Sequence, residues 1–90
     1  MYDTDWSDLD RYKSYVDVLV SLIKEQAFEV RQMQIAHPGL PQQGRDFLSG
    51  QLFSYYRVIS WMQQEARHRG IPWEEIGLDD INPDQDLIIP

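Results

Sequence analysis

The stretch His37-Pro38-Gly39-Leu40-Pro41 divides this 90-residue chain into two long amphipathic patterns. Pro38 disfavours helical geometry at the residue before it, and Pro41 suits the first turn of a following helix. The sequence therefore predicts a helix that ends near His37, a tight turn, and a second helix that begins close to Pro41. Two helices joined by so short a turn are typical of an antiparallel helical hairpin.

Before this turn, apolar residues recur at alternating spacings of three and four. Such spacing is typical of a helix in a coiled coil or bundle. Ser7 and Asp10 approximate a capping box and predict a helix start near Ser7. The positions predicted to face the core are Leu9, Tyr12, Val16, Leu19, Ile23, Gln26, Val30, Met33 and His37.

After the turn, a similar spacing continues to the basic run Arg67-His68-Arg69. Positive charge suits the last turn of a helix, and Gly70 is a typical residue just past a helix end. The positions predicted to face the core are Leu48, Leu52, Tyr55, Ile59, Met62 and Ala66.

Beyond Gly70 the helical periodicity stops, and every charged residue is acidic. Pro72 and Gly77 bracket one predicted short helical turn, and an irregular acidic tail is predicted to follow it. We expect the extension to be an accessory to the hairpin, anchored through Ile71, Trp73 and Ile76. Residues 82–90 are expected to be mobile unless a partner or the patch of Phe53 and Trp61 holds them. The predicted organisation is one domain, with the hairpin in residues 1–70 and the acidic extension in residues 71–90.

The apolar arcs of both helices are wider than one hairpin can bury. Each arc spans about 160–180°, whereas a surface helix needs little more than about 100°. The sequence therefore predicts an all-α fold in which two hairpins close a four-helix bundle as a homodimer. The alternatives are another protein covering the apolar face and the tail after Gly70, whose apolar residues suffice for one end of the hairpin but not for both long stripes. The candidate residues of the dimer seam are Val16, Leu19, Ile23, Gln26, Leu52 and Ile59, with Gln26 setting the register.

Several large apolar residues fall outside these seams. Phe53, Arg57 and Trp61 are spaced four apart, which predicts an aromatic–cation–aromatic ladder along the second helix. Such patches are covered either by the acidic extension or by a partner protein. The candidate partner-binding residues are Phe53, Arg57, Trp61, Phe28, Ile35, Trp73, Asp84 and Asp86.

Two short patterns resemble metal sites only in part. Glu65 and His68 have the spacing that di-iron bundles use, and a carboxylate and histidine metal bundle is therefore an alternative function. At 100° per residue, however, His68 points away from the predicted core. Asp80–Asp84 has the first ligand positions of a calcium loop, but Gln85 replaces the required glycine. We predict no metal and no cofactor.

The net charge of −7 is unevenly distributed along the chain. Residues 11–70 hold all eight Lys and Arg against five acids, a net of +3, and acidic ends flank them. So few basic residues argue against direct nucleic-acid binding, whereas an acidic surface that mimics nucleic acid is a second alternative function.

The chain shows no catalytic triad spacing and no glycine-rich phosphate loop. The acidic N-terminal residues are not typical of a secretory signal, and the short apolar runs predict no membrane span, so we expect a cytoplasmic protein. The leading hypothesis is a non-enzymatic interaction protein, such as a small regulator, adaptor or inhibitor of a larger assembly, whose partner the sequence does not identify.

Overall fold

A computed structural model describes residues 6–88, with side chains from residue 8 onward. Two long helices, α1 (Trp6–Ala36) and α2 (Gln42–His68), form the predicted antiparallel hairpin. A 3-10 turn (Trp73–Ile76) and a π-helical turn (Asp84–Ile88) follow α2. No strand occurs between residues 6 and 88, which confirms the all-α class.

The helix ends lie close to their predicted positions. The N–H of Ile71 donates to the carbonyl of Ala66 (2.8 Å) and the N–H of Gly70 to Arg67 (3.2 Å). With Gly70 at φ +68°, these bonds form a Schellman motif, which requires the left-handed conformation that glycine adopts without strain. At the other end, α1 begins at Trp6, so Ser7 lies inside the first turn rather than at the predicted cap.

The buried face of α1 differs from the predicted one. Val20, Ala27 and Val30 are buried, whereas Leu19 and Met33 remain 44% and 47% exposed. At 100° per residue, the buried face is rotated by about 50° from the centre of the predicted seam. The rotation has a physical cause: the residues after Gly70 pack against this side of α1 and add to the area that α2 buries.

The buried face of α2 is close to prediction. Leu48, Leu52, Ile59 and Ala66 are all buried, and the predicted positions Tyr55 and Met62 are half-buried. Gln63 is an addition that the apolar pattern did not predict, with only 7% of its surface exposed.

The prediction that the extension is accessory was wrong. In the C-terminal segment, defined here as residues 71–88, Leu78 and Leu87 are fully buried and Ile81 is 4% exposed. These side chains belong to the same core cluster as Val20 and Ile59. The tail predicted to be irregular instead contains the π-helical turn, and residues 89–90 lie outside the described residues. The segment completes the core because these three apolar side chains lie against the hairpin.

The C-terminal segment covers one side of the hairpin and leaves the other side open. On α1 it contacts Lys24, and Leu19 and Leu22 lie about 140–160° around the helix from that residue. On α2, Val58 likewise lies about 140–160° around the helix from Gln63 and Tyr56, which contact the segment. We call the uncovered surface the open face, and it consists of Tyr15, Leu19, Leu22, Tyr55, Val58 and Met62.

The molecule is elongated, with principal-axis extents of 59 × 21 × 20 Å. Its radius of gyration is 16.3 Å, whereas a compact chain of this length has about 12 Å. Its surface of 6880 Å² exceeds the roughly 5,500 Å² of a compact monomer of the same mass, as an elongated shape requires. Neither long helix is apolar enough over a sufficient length to cross a membrane.

Candidate protein-interaction surfaces

Lys24 attaches the C-terminal segment to α1. Its ammonium donates to the carbonyl of Gly77 (2.6 Å) and to the carboxylate of Asp80 (2.6 Å), and only 16% of its side chain is exposed. The hydrogen bond from Lys24 lowers the pKa of Asp80 below its usual value, against a smaller opposing effect of burial. The contact joins the basic body of the hairpin to the acidic extension.

Gln63 attaches the same segment to α2. Its amide nitrogen donates to the carbonyls of Leu78 and Ile81, both at 3.0 Å. Its own backbone carbonyl accepts a hydrogen bond from the indole N–H of Trp73 (2.9 Å). One buried residue therefore satisfies three polar groups, so the segment docks with its buried carbonyls paired.

A third attachment joins the π-helical turn to α2. The hydroxyl of Tyr56 donates to the carboxylate of Asp84 (2.8 Å), and this hydrogen bond raises the pKa of Tyr56 above its usual value. The carboxylate of Asp86 accepts the N–H of Asn82, whose side chain accepts the N–H of Gln85. Asp84 and Asp86, which are candidate partner residues, thus also stabilise the fold of the segment.

Between α2 and the C-terminal segment runs a shallow groove of about 640 Å³. Four aspartates line it, at positions 79, 80, 84 and 86, and Arg67 is the basic residue among the lining side chains. The guanidinium of Arg67 lies 5.2 Å from the ring centre of Trp73. The candidate partner residues Trp73, Asp84 and Asp86 therefore share one acidic surface.

The predicted aromatic ladder is present on the outer side of α2. The guanidinium of Arg57 lies 4.8 Å from the ring centre of Trp61 and 6.0 Å from that of Phe53. The C-terminal segment passes beside the ladder rather than across it, leaving Phe53 and Trp61 52% and 53% exposed. Phe53 also stacks on Tyr56 at 5.9 Å, so the ladder adjoins the acidic groove.

The candidate residues on α1 lie apart from the ladder. Phe28 and Ile35 are 38% and 58% exposed. At 100° per residue they lie about 20° from each other around α1 and on the side away from the open face. They form a small separate patch.

The dimer-seam candidates fall into two groups. Ile23, Leu52 and Ile59 lie in or against the core of the single chain. Val16 is 39% exposed and lies beside Ile71 and Ile76 of the C-terminal segment, whereas Leu19 is 44% exposed and remains available to a second copy. The sixth candidate, Gln26, is also exposed and donates to Glu29 at 3.3 Å.

The two metal-like patterns have structural partners. Glu65 contacts His68 at 3.3 Å and Arg69 at 3.5 Å on an exposed surface. The acids of the calcium-like stretch contact Lys24 and Tyr56, as described above. Among the described residues, no three side chains of histidine, aspartate or glutamate converge on a metal-sized space.

Gln63 and Lys24 are the structural residues that the sequence patterns missed. The helical spacing gave a signal for Gln63, since it lies on the same side of α2 as Ile59 and Ala66. The sequence gave no signal for the role of Lys24, because a lysine on the edge of an amphipathic helix is usually solvated.

Comparison with known proteins gives no relative from which a function can be transferred. No protein-family model, no curated protein and no solved structure matches the chain. Its function is therefore argued from its own surfaces.

Proposed function

We propose that this chain is a non-enzymatic interaction module, acting as a homodimer in the regulation, bridging or inhibition of a larger assembly. The observation that carries the proposal is the open face. Tyr15, Leu19 and Leu22 are 61%, 44% and 51% exposed on one side of α1. A contiguous apolar surface of this kind is typical of an interface with another protein.

The shape of the open face supports a second copy as its first occupant. Two copies present the same apolar surface, so a two-fold pairing matches apolar side chains with apolar side chains. Two hairpins that cover each other's open faces form a four-helix bundle, which leaves the aromatic ladder and the acidic groove outside. Those outer surfaces are then the ones offered to the regulated partner, in the cytoplasmic setting expected from the sequence.

A pair of charge substitutions tests the dimer. Leu19→Glu places a carboxylate on the open face, and Phe28→Glu makes a similar change to an exposed residue on the other side of α1. We expect the unmodified chain and Phe28→Glu to sediment as dimers at micromolar concentration and Leu19→Glu as a folded monomer. A monomeric mass for the unmodified chain would refute the proposed dimer.

The aromatic ladder supplies the test of partner binding. Trp61→Ala removes one ring of the ladder without touching the buried core. We expect this variant to keep its helical circular dichroism and its dimer mass while losing partners that the unmodified chain retains from native lysate. Phe47→Ala, at an exposed aromatic of α2 that belongs to neither the ladder nor the open face, is the control that should keep those partners. Identical retention by Trp61→Ala and the unmodified chain would remove the ladder from the proposal.

A further inference from the structure

We propose that the two copies pair with α1 of one chain antiparallel to α1 of the other, about a two-fold axis beside residues 20 and 21. This inference rests on the proposed dimer and adds its orientation. It names the second copy of this chain as the occupant of the open face.

The distribution of exposed apolar surface places α1 at the centre of the interface. Four of the exposed large apolar side chains lie on the open-face side of α1, at positions 15, 18, 19 and 22, whereas Tyr12 and Val16 lie beside the C-terminal segment. The residues that α2 contributes to the open face, Tyr55, Val58 and Met62, are already half-buried within the chain. Pairing α1 with α1 therefore removes the most apolar surface from water.

The spacing along α1 suits antiparallel self-pairing. Tyr15, Leu19, Leu22 and Gln26 follow one another at intervals of four, three and four, so the pattern is the same in both directions. With the axis beside residues 20 and 21, Leu19 of each copy meets Leu22 of the other. Tyr15 then meets Gln26, and the phenol hydroxyl and the side-chain amide are complementary hydrogen-bonding groups.

Charge at the border of the open face favours the same orientation. Arg11 and Glu29 lie about five helical turns apart and therefore on the same edge of α1. The proposed axis brings Arg11 of one copy to within one residue of Glu29 of the other. A parallel pairing of the two α1 helices would instead leave Arg11 of one copy about 27 Å along the helix axis from Glu29 of the other, so the two charges would not meet.

The other closed arrangement places both hairpin turns at the same end of the dimer. In that arrangement α1 lies over α2 of the second copy rather than over α1. Arg11 of one copy then lies opposite the C-terminal end of α2 of the other copy, so it no longer meets Glu29 of that copy. The charge pattern therefore separates the two ways of closing the same apolar face.

Distance measurements between spin labels distinguish the arrangements. The chain has no cysteine, so Ser21→Cys and His37→Cys each accept one nitroxide label. For the proposed axis we expect about 15–25 Å between labels at residue 21 and about 50 Å at residue 37, at 1.5 Å of rise per residue. Short distances at both positions in a protein of dimer mass would overturn the orientation and leave the proposed dimer intact. A monomeric mass without spin coupling would overturn both.

A charge exchange provides a second readout. Arg11→Glu should weaken the dimer about two- to fivefold for each pair, as exposed ion pairs do, and adding Glu29→Arg should restore the affinity. Sedimentation at several concentrations measures the dissociation constants. Failure of the double variant to recover affinity would overturn the proposed contact between Arg11 and Glu29.

Discussion

Replacing Gln63 by methionine tests how the C-terminal segment is held to the hairpin. Gln63→Met keeps the length of the side chain but removes both donors to the carbonyls of Leu78 and Ile81. Gln63 is 7% exposed, so water does not readily replace the lost amide. Each lost hydrogen bond lowers the free energy of unfolding by about 1 kcal/mol, and carbonyls left buried without a donor add to that loss. We expect a total loss of about 2–4 kcal/mol.

Urea unfolding followed by circular dichroism measures this loss, with Gln64→Met as the matched control on the adjacent exposed position. The control should change the free energy of unfolding by less than about 0.5 kcal/mol. With Trp6 and Trp61 replaced by phenylalanine, the fluorescence of Trp73 can be followed alone, and Gln63→Met should shift it toward that of an exposed indole because the segment that carries Trp73 is loosened. Equal stability of Gln63→Met and Gln64→Met would refute the view that Gln63 holds the segment in place.

Three further measurements follow from the described contacts. Leu87→Ala should lower the free energy of unfolding by about 2–4 kcal/mol, and Ile88→Ala, at an exposed neighbour, by less than about 1 kcal/mol in the same urea titration. The lowered pKa of Asp80 contributes stability above about pH 4 that is lost as the pH falls further, so Asp80→Asn should show a shallower acid loss of the urea midpoint. The raised pKa of Tyr56 contributes stability below about pH 10 that is lost as the pH rises through the folded-state value, and Tyr56→Phe should lack this alkaline loss in a pH titration of circular dichroism.

The hairpin itself could be predicted because its signals are local. Pro38 and Gly70 act on the backbone next to them, and the helix ends follow within one or two residues. The core of α2 was predictable for a related reason: buried residues such as Leu52 and Ile59 lie near the centre of its apolar arc, so the apolar spacing matches the buried side.

The buried face of α1 could not be predicted in the same way. Its apolar arc serves two surfaces, the within-chain core around Val20 and Ala27 and the open face around Leu19. The spacing of apolar residues predicts only the centre of this arc, and the centre lies between the within-chain core and the open face. The position of the C-terminal segment depends on long-range contacts of Lys24 and Gln63, and helical spacing carries no information about a segment that is far away in sequence.

The acidic residues of the extension suggested that it lies on the surface, whereas its apolar residues determine its position in the core. Leu78, Ile81 and Leu87 are separated by turns and loops, so neither helical nor strand spacing marks them as one buried set. The aromatic ladder was predictable because Arg57 is four residues from each ring. Its use by a partner stays a prediction.

The proposed dimer requires a second copy of the chain to cover the open face. Isotope-filtered nuclear Overhauser measurements on a mixture of labelled and unlabelled protein detect only contacts between copies and therefore test this pairing. We expect intermolecular contacts from the methyl groups of Leu19 and Leu22. Intermolecular contacts from Ile35 on the opposite side of α1, or none at a concentration where the protein is folded, would contradict it.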